Sequence, residues 1–291
     1  MIGRFAFTDT HVHFHDLRAR GLRYSWLEPG NEPDDVLGDY SAIRSERYWA
    51  DDFIAETRFQ NVCRVVHVQA AIGIADPVEE TRWLQEFHDR LGVPHAAIAY
   101  ADLTDPHLED VLAGHRRFPI LRGIRDLRYD GYLQDERWQA GFRRLGELGL
   151  ICCDDPAVEQ YTLAAALAER NPHTVLCIDH AGYPLRRDHD YLAEWHAGLR
   201  HLARAENIVM KISGLGQTDH NWTIASLRPL VLDCIEIFGV ERCFFGTNWP
   251  VDRLFSSYGD VLDAYAEIIS EFSKPEQEAL FSDNANRIFA V

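Results

Sequence analysis

The chain reads as a single α/β domain, a (β/α)8 TIM barrel. Three observations predict the barrel. Short apolar, β-branched segments alternate with longer helix-patterned ones from end to end, eight such short segments can be counted, and 291 residues suit one barrel around one core. The strands are expected at 4–8, 63–69, 96–101, 120–124, 150–153, 174–178, 208–212 and 243–246.

The connections give these segments a direction. Asp76-Pro77, Asp105-Pro106 and Asp155-Pro156 each follow a strand and open a helical stretch, where aspartate caps and proline at the first helical position loses no needed hydrogen bond. Glu79 falls where a capping-box acid would. Gly92, Gly149 and Gly239 stand just before strands, as helix-terminating glycines do. This punctuation identifies the strand C-termini, the end at which barrel enzymes carry their chemistry. One stretch, about 15–50, is too long for an ordinary βα loop, and its Tyr24, Trp26 and Leu27 predict an ordered lid over that end. No linker or repeat divides the chain, so 1–291 is read as one domain.

Composition narrows the function. With 46% hydrophobic and 26% charged residues the chain is globular, and a net charge of −17 opposes binding to nucleic acid or anionic membrane. No apolar run reaches the ~20 residues of a membrane span, and the start lacks a signal peptide's apolar core, so the expected location is cytoplasmic. The expected partner is a small-molecule substrate; self-association into a homo-oligomer is left open. The six cysteines contain no C-x-x-C pair and five fall in strand segments, which predicts reduced thiols, mostly buried.

The candidate chemistry begins at Thr8-Asp9-Thr10-His11-Val12-His13. Strand alternation puts Asp9, His11 and His13 on one face, and two imidazoles at a barrel mouth can bind a metal ion or grip an oxyanion. The strand at 174–178 delivers His180 to its C-terminal end, while Asp179 is expected to face away and to be structural. Arg122 and Arg125 lie on opposite faces of one strand, so only one of the two can enter the barrel, where a guanidinium would suit a carboxylate or clustered hydroxyls. His67 and Gln69 share a face of the second strand and are substrate candidates, as are Tyr24 and Trp26 of the lid. Lys211 stands out because the only other lysine is Lys274; it either orients substrate inside the barrel or snorkels outward. Asp154 is a weak candidate, and Asp155 is read as a helix cap.

The ordered set DTHVHF, LRYSWL, VVHVQA, LRGIR, CIDHAGYP, VMKISGL and FFGTNWPVDRL resembles the amidohydrolase superfamily, and within it the amidohydrolase-2 branch of sugar lactonases and 2-pyrone-4,6-dicarboxylate lactonase. The resemblance implies a reactive cluster of His11, His13 and His180, and hydrolysis of a lactone of a small polar acid. It also exposes a departure. The family pattern G-S/T-D-W-P carries a water-activating aspartate where this chain has Asn248, and an amide has no basic lone pair for proton transfer. Three routes follow: one divalent metal ion, zinc first, on His11, His13 and His180; a metal-free histidine base; or a relocated carboxylate, Asp9 or Asp252. Rival readings are a metal-dependent non-oxidative decarboxylase and a barrel that binds ligand without turnover.

Overall fold

The computed structural model describes residues 5–30, 34–126 and 129–291; position 4 of the first expected strand lies outside these. Ten strands are seen among them: β1 (Phe7–Val12), β2 (His15–Asp16), β3 (Arg47–Tyr48), β4 (Val62–Val68), β5 (Ala96–Tyr100), β6 (Leu121–Arg125), β7 (Ile151–Asp154), β8 (Leu176–Ile178), β9 (Ile208–Ile212) and β10 (Cys243–Phe245). The α-helices are α1 (Ala50–Glu56), α2 (Val78–Leu91), α3 (Leu108–His115), α4 (Glu136–Glu147), α5 (Tyr161–Arg170), α6 (His189–Leu202), α7 (Ile224–Phe238), α8 (Tyr258–Ile268), α9 (Lys274–Glu278) and α10 (Asn284–Phe289). Eight strands form one parallel sheet in the order β1-β4-β5-β6-β7-β8-β9-β10, while β2 and β3 pair in the lid. The seam between β1 and β10 is joined by a parallel bridge from Val12 to Trp249 and by Thr10 Oγ1 donating to Phe245 O at 2.8 Å. The (β/α)8 barrel is as expected.

Helix faces follow local chemistry. In α4, Trp138, Phe142 and Leu145 recur at helical spacing and are buried, and Asp135 caps the first turn by accepting from Arg137 N. Asp76 and Asp105 accept from Val78 N at 3.0 Å and His107 N at 2.7 Å, as helix-opening residues. Glu79 does not complete a capping box; it pairs instead with Arg82 one turn on. The first strand starts later than expected and runs on through Val12; its TDTH run is fully buried, and Thr8, Asp9 and Thr10 find side-chain partners inside the protein.

The barrel interior is filled by Val66, Val68, Ala96, Ile98, Ile151, Cys153, Cys177, Val209 and Phe244, and Ala285 and Phe289 of α10 pack into the same cluster. Thr8 Oγ1 donates to Asn286 Oδ1 at 2.8 Å, so α10 plugs the N-terminal end of the barrel. Gly123 is required on this inner face: a Cβ there would lie 2.4 Å from Ile151 O. Cys63 is exposed, the other five cysteines are buried, and all six are free thiols. No helix among the described residues is long and apolar enough to cross a membrane. The plug has a measurable consequence. Phe289→Ala should lower unfolding stability by about 3–5 kcal/mol, read from guanidinium denaturation; an unchanged midpoint would mean that α10 does not seal the barrel.

Candidate active site at the C-terminal rim

A cavity of about 380 Å³ opens where the parallel strands end, lined by His13, Trp26, Gln69, Arg125, Asp126, Asp155, His180, Gln217 and Asn248 together with Leu37, Ala70, Ile72 and Val251. The lid forms one wall. Tyr24, Leu27, Tyr40 and Ile43 bury themselves against Ala70, Ala71 and Val251, and Trp26 Nε1 donates to Ala70 O at 2.8 Å. Trp26 thus faces the cavity as expected, whereas Tyr24 is consumed in lid packing, 2% exposed and outside the lining.

The histidines arrive by different local devices. A register shift between Asp9 and Val12 breaks the alternation of β1. Asp9 therefore does not sit beneath the pair. It accepts from Thr247 N, Thr247 Oγ1 and Tyr258 Oη of α8 at 2.9, 2.6 and 2.9 Å, and burial lifts its carboxyl to about 6. His180 follows β8 with φ +55°, succeeded by Ala181 at +54° and Tyr183 at +58°. Its ring lies 4.5 Å from that of His11, centroid to centroid, and Ser213 Oγ is 3.0 Å from its Nδ1. Asp179, expected to face away from His180, keeps the inward face of Cys177 two residues earlier, and the turn brings the His180 ring round to the same end of the barrel. Asp179 Oδ1 is 2.8 Å from Lys211 Nζ and its Oδ2 is 3.7 Å from His11 Nδ1, all fully buried.

The imidazole pair has an informative proton arrangement. His13 Nδ1 lies 2.9 Å from Val68 O, an acceptor only, so Nδ1 carries the proton and Nε2 presents a lone pair. That Nε2 is 3.1 Å from His11 Nε2. If His11 carries its proton on Nε2, its Nδ1 lone pair faces the Asp179 carboxylate; if on Nδ1, two lone pairs face each other. His11 Nδ1 and Asp179 Oδ2 are both buried without a hydrogen-bond partner. A cation between the two Nε2 atoms resolves the conflict, and two nitrogens on a tetrahedral zinc would be about 3.3 Å apart. The pair therefore fits two of the three protein ligands usual for catalytic zinc. Among the described residues, the group that brings three ligand atoms within 4.8 Å of one another is Cys153, Cys177 and Asp179, not the three histidines, and there Lys211 already supplies the cation.

Electrostatics set the protonation states. Burial, followed by the surrounding positive groups, pushes His11 and His13 well below the ordinary histidine value. Burial lowers His180 to about 4 against the opposing pull of Asp179 and Asp155. Burial by itself would raise Asp179, but Lys211 and Arg125 outweigh it and hold the carboxylate ionised.

The other candidates divide. Arg125 enters the cavity, with its guanidinium 4.0 Å from Asp155, whereas Arg122 turns out to the barrel's N-terminal end and donates to Pro119 O and Ala290 O. Gln69 lines the cavity, while His67 lies on the opposite face against Phe14 and Glu80. Lys211 is inside the barrel, fully buried and outside the cavity lining, so it does not snorkel outward. Asp154 accepts from Tyr132 Oη at 2.6 Å. Asp155, read from the sequence as a helix cap, lines the cavity, while Ala157 and Gln160 stand at the N-cap positions of the helical turns that follow; Asp126 and Gln217 line the cavity unexpectedly. No periodic signal marks these loop positions; Asp126 could have been suspected from following Arg125 at a strand end. Asn248 lines the cavity at φ +60°, but Asp252 does not reach it. Asp252 is 3% exposed, and burial lifts its carboxyl to about 7.

The chain is similar to known proteins along nearly its whole length. The chain matches the family described as Amidohydrolase over residues 8–291. It is 36% identical to uncharacterized protein y4mH of Sinorhizobium fredii, over 98% of this chain and 99% of that one. It is 29% identical to the L-fucono-1,5-lactonase of Burkholderia multivorans, over 97% and 95% of the two chains. Among solved structures it is similar to an amidohydrolase from Burkholderia multivorans with bound zinc, at a TM-score of 0.84 and 26% identity over 98% and 99% of the two chains.

The buried ion pair is testable without substrate. Lys211→Met strands an uncompensated carboxylate and should cost about 3–5 kcal/mol of stability, while Lys211→Met combined with Asp179→Leu should recover most of it. Thermal denaturation of the two variants checks this, and equal losses in both would remove the pair from the stability account.

Proposed function

The chain belongs to the amidohydrolase family, and from that premise we propose that it is a hydrolase that opens the lactone of a small polyhydroxylated acid by attack of water on the ring carbonyl. The observation that carries this reading is the make-up of the cavity. The Trp26 ring stands beside Gln69, Gln217 and Asn248, with one guanidinium, Arg125, against the two carboxylates Asp126 and Asp155. An apolar ring face with planar polar groups around it suits a ring bearing hydroxyls, and a single cation facing two acids suits a neutral ring better than a dicarboxylate. The likeness to L-fucono-1,5-lactonase supports the same substrate class.

Each group then has a role. Arg125, held charged by Asp155 and Asp179 despite its burial, orients substrate oxygens. His180, neutral near pH 7, accepts the proton that water loses, and Ser213 fixes its ring. Asn248 holds water or substrate by hydrogen bonds. The lid, anchored through Trp26, keeps bulk water from the reacting carbonyl. His11 and His13 are the residues that would hold a divalent ion, zinc first, which when bound polarises a carbonyl and lowers the pKa of coordinated water.

A pH-indicator screen of sugar lactones tests the reaction; proton release without carbon dioxide is expected, and release of carbon dioxide would transfer the protein to the decarboxylase class. On the lactone that reacts, Arg125→Leu should reduce kcat/KM by about 10–100-fold, Arg122→Leu should behave as the parent, and His180→Asn should abolish turnover. Parent-like kinetics in His180→Asn would remove that imidazole from the chemistry. Metal binding is read separately by calorimetry: zinc uptake by the parent should be lost in His13→Asn, and uptake retained in that variant would place the ion elsewhere.

A further inference from the structure

Asp252 is withdrawn from the cavity, yet one of its carboxylate oxygens engages Asn248, which lines it, and the other engages Gly216, the chain neighbour of the lining residue Gln217. Asn248 Nδ2 donates to Oδ2 at 2.8 Å, and Gly216 N, from the loop after β9, donates to Oδ1 at 3.1 Å. Asp252 N closes the turn by donating to Asn248 O at 3.2 Å. The Gly216 contact admits no side chain, since a Cβ there would lie 2.7 Å from Asp252 Oδ1 and 2.8 Å from Phe255 Cδ2. An ionised carboxylate only accepts hydrogen bonds, so it binds the NH2 end of the neighbouring amide and leaves the carbonyl end free. We propose that Asp252 is a positioning residue that turns the Asn248 carbonyl oxygen toward the cavity, making the amide an acceptor for the attacking water or a substrate hydroxyl.

Asp252 does not itself remove a proton from water, because Asn248 stands between it and the cavity. Its other titratable neighbours are Asp9, and Tyr265 in the small void on its far side. The kinetic consequence rests on the lactone reading; the pairing of the two side chains does not. Substitution of Asn248 by aspartate, which superficially restores a base, instead sets two carboxylates side by side, and one of them must hold a proton.

Four proteins decide the matter: the parent, Asn248→Asp, Asp252→Asn and the double exchange. At pH 8 both single variants should melt below the parent. The double variant, which restores one amide and one carboxylate, should melt roughly 4 °C or more above the sum of the two single shifts. In the parent, NMR should show slowly exchanging Asn248 side-chain amide protons that exchange rapidly in Asp252→Asn. On a reacting lactone, Asp252→Asn should lose about tenfold in kcat, with KM changed less than about twofold. Additive melting shifts, or amide exchange unaltered in Asp252→Asn, would overturn the proposal. Failure of every lactone to react, with coupling and exchange as expected, would count against the lactone reading and leave the orientation of Asn248 supported.

Discussion

At the seam of the barrel, beyond the ends of the strands themselves, His13 N donates to Trp249 O at 2.7 Å and Trp249 N donates to His11 O at 3.2 Å. These bonds join the first strand to the last and at the same time hold the histidine pair beside Asn248. Closure and site assembly are therefore one event. The H-x-H and N-W-P segments, with His13 and Asn248 235 positions apart, share a backbone ladder, and a displacement of either moves both the barrel wall and the cavity lining.

Beneath this rim the protein places charge where an α/β barrel is ordinarily apolar. Lys211 and Asp179 are fully buried, and Arg125 is half-buried above them, in a chain whose net charge is −17, so the interior cations run against the overall balance. Buried ion pairs contribute little net stability compared with apolar packing, but losing one partner is costly, and they fix neighbouring groups in place. Here Lys211 holds Asp179, whose other oxygen lies 3.7 Å from His11 Nδ1.

Backbone conformation at the rim supports the same view. His180, Ala181, Tyr183 and Asn248 all adopt positive φ without being glycine, and all lie in the turns that follow β8 and β10. Such residues persist only where surrounding contacts over-determine them, and they gather at sites where side-chain direction matters more than local comfort. The contacts are visible: Ser213 on His180, Trp195 Nε1 donating to Ala181 O at 3.0 Å, and Asp252 on Asn248.

The sequence by itself determined the barrel, the direction of its strands, the lid and the identity of the three imidazoles, because hydrophobic period, capping residues and motif order are local properties written in residue type. It also limited the arginines to one inward member, since alternation along β6 is a local rule, and Arg125 rather than Arg122 took that place. Tertiary structure alone decided which polar residues touch the cavity. The bulge in β1 sent Asp9 toward Tyr258, and the left-handed turn after β8 brought His180 in beside His11. Lys211 became the buried counter-ion of Asp179, and Asp252 was drawn behind Asn248. In each case the outcome depended on a partner far away in the chain, and no period or spacing carries the position of such a partner.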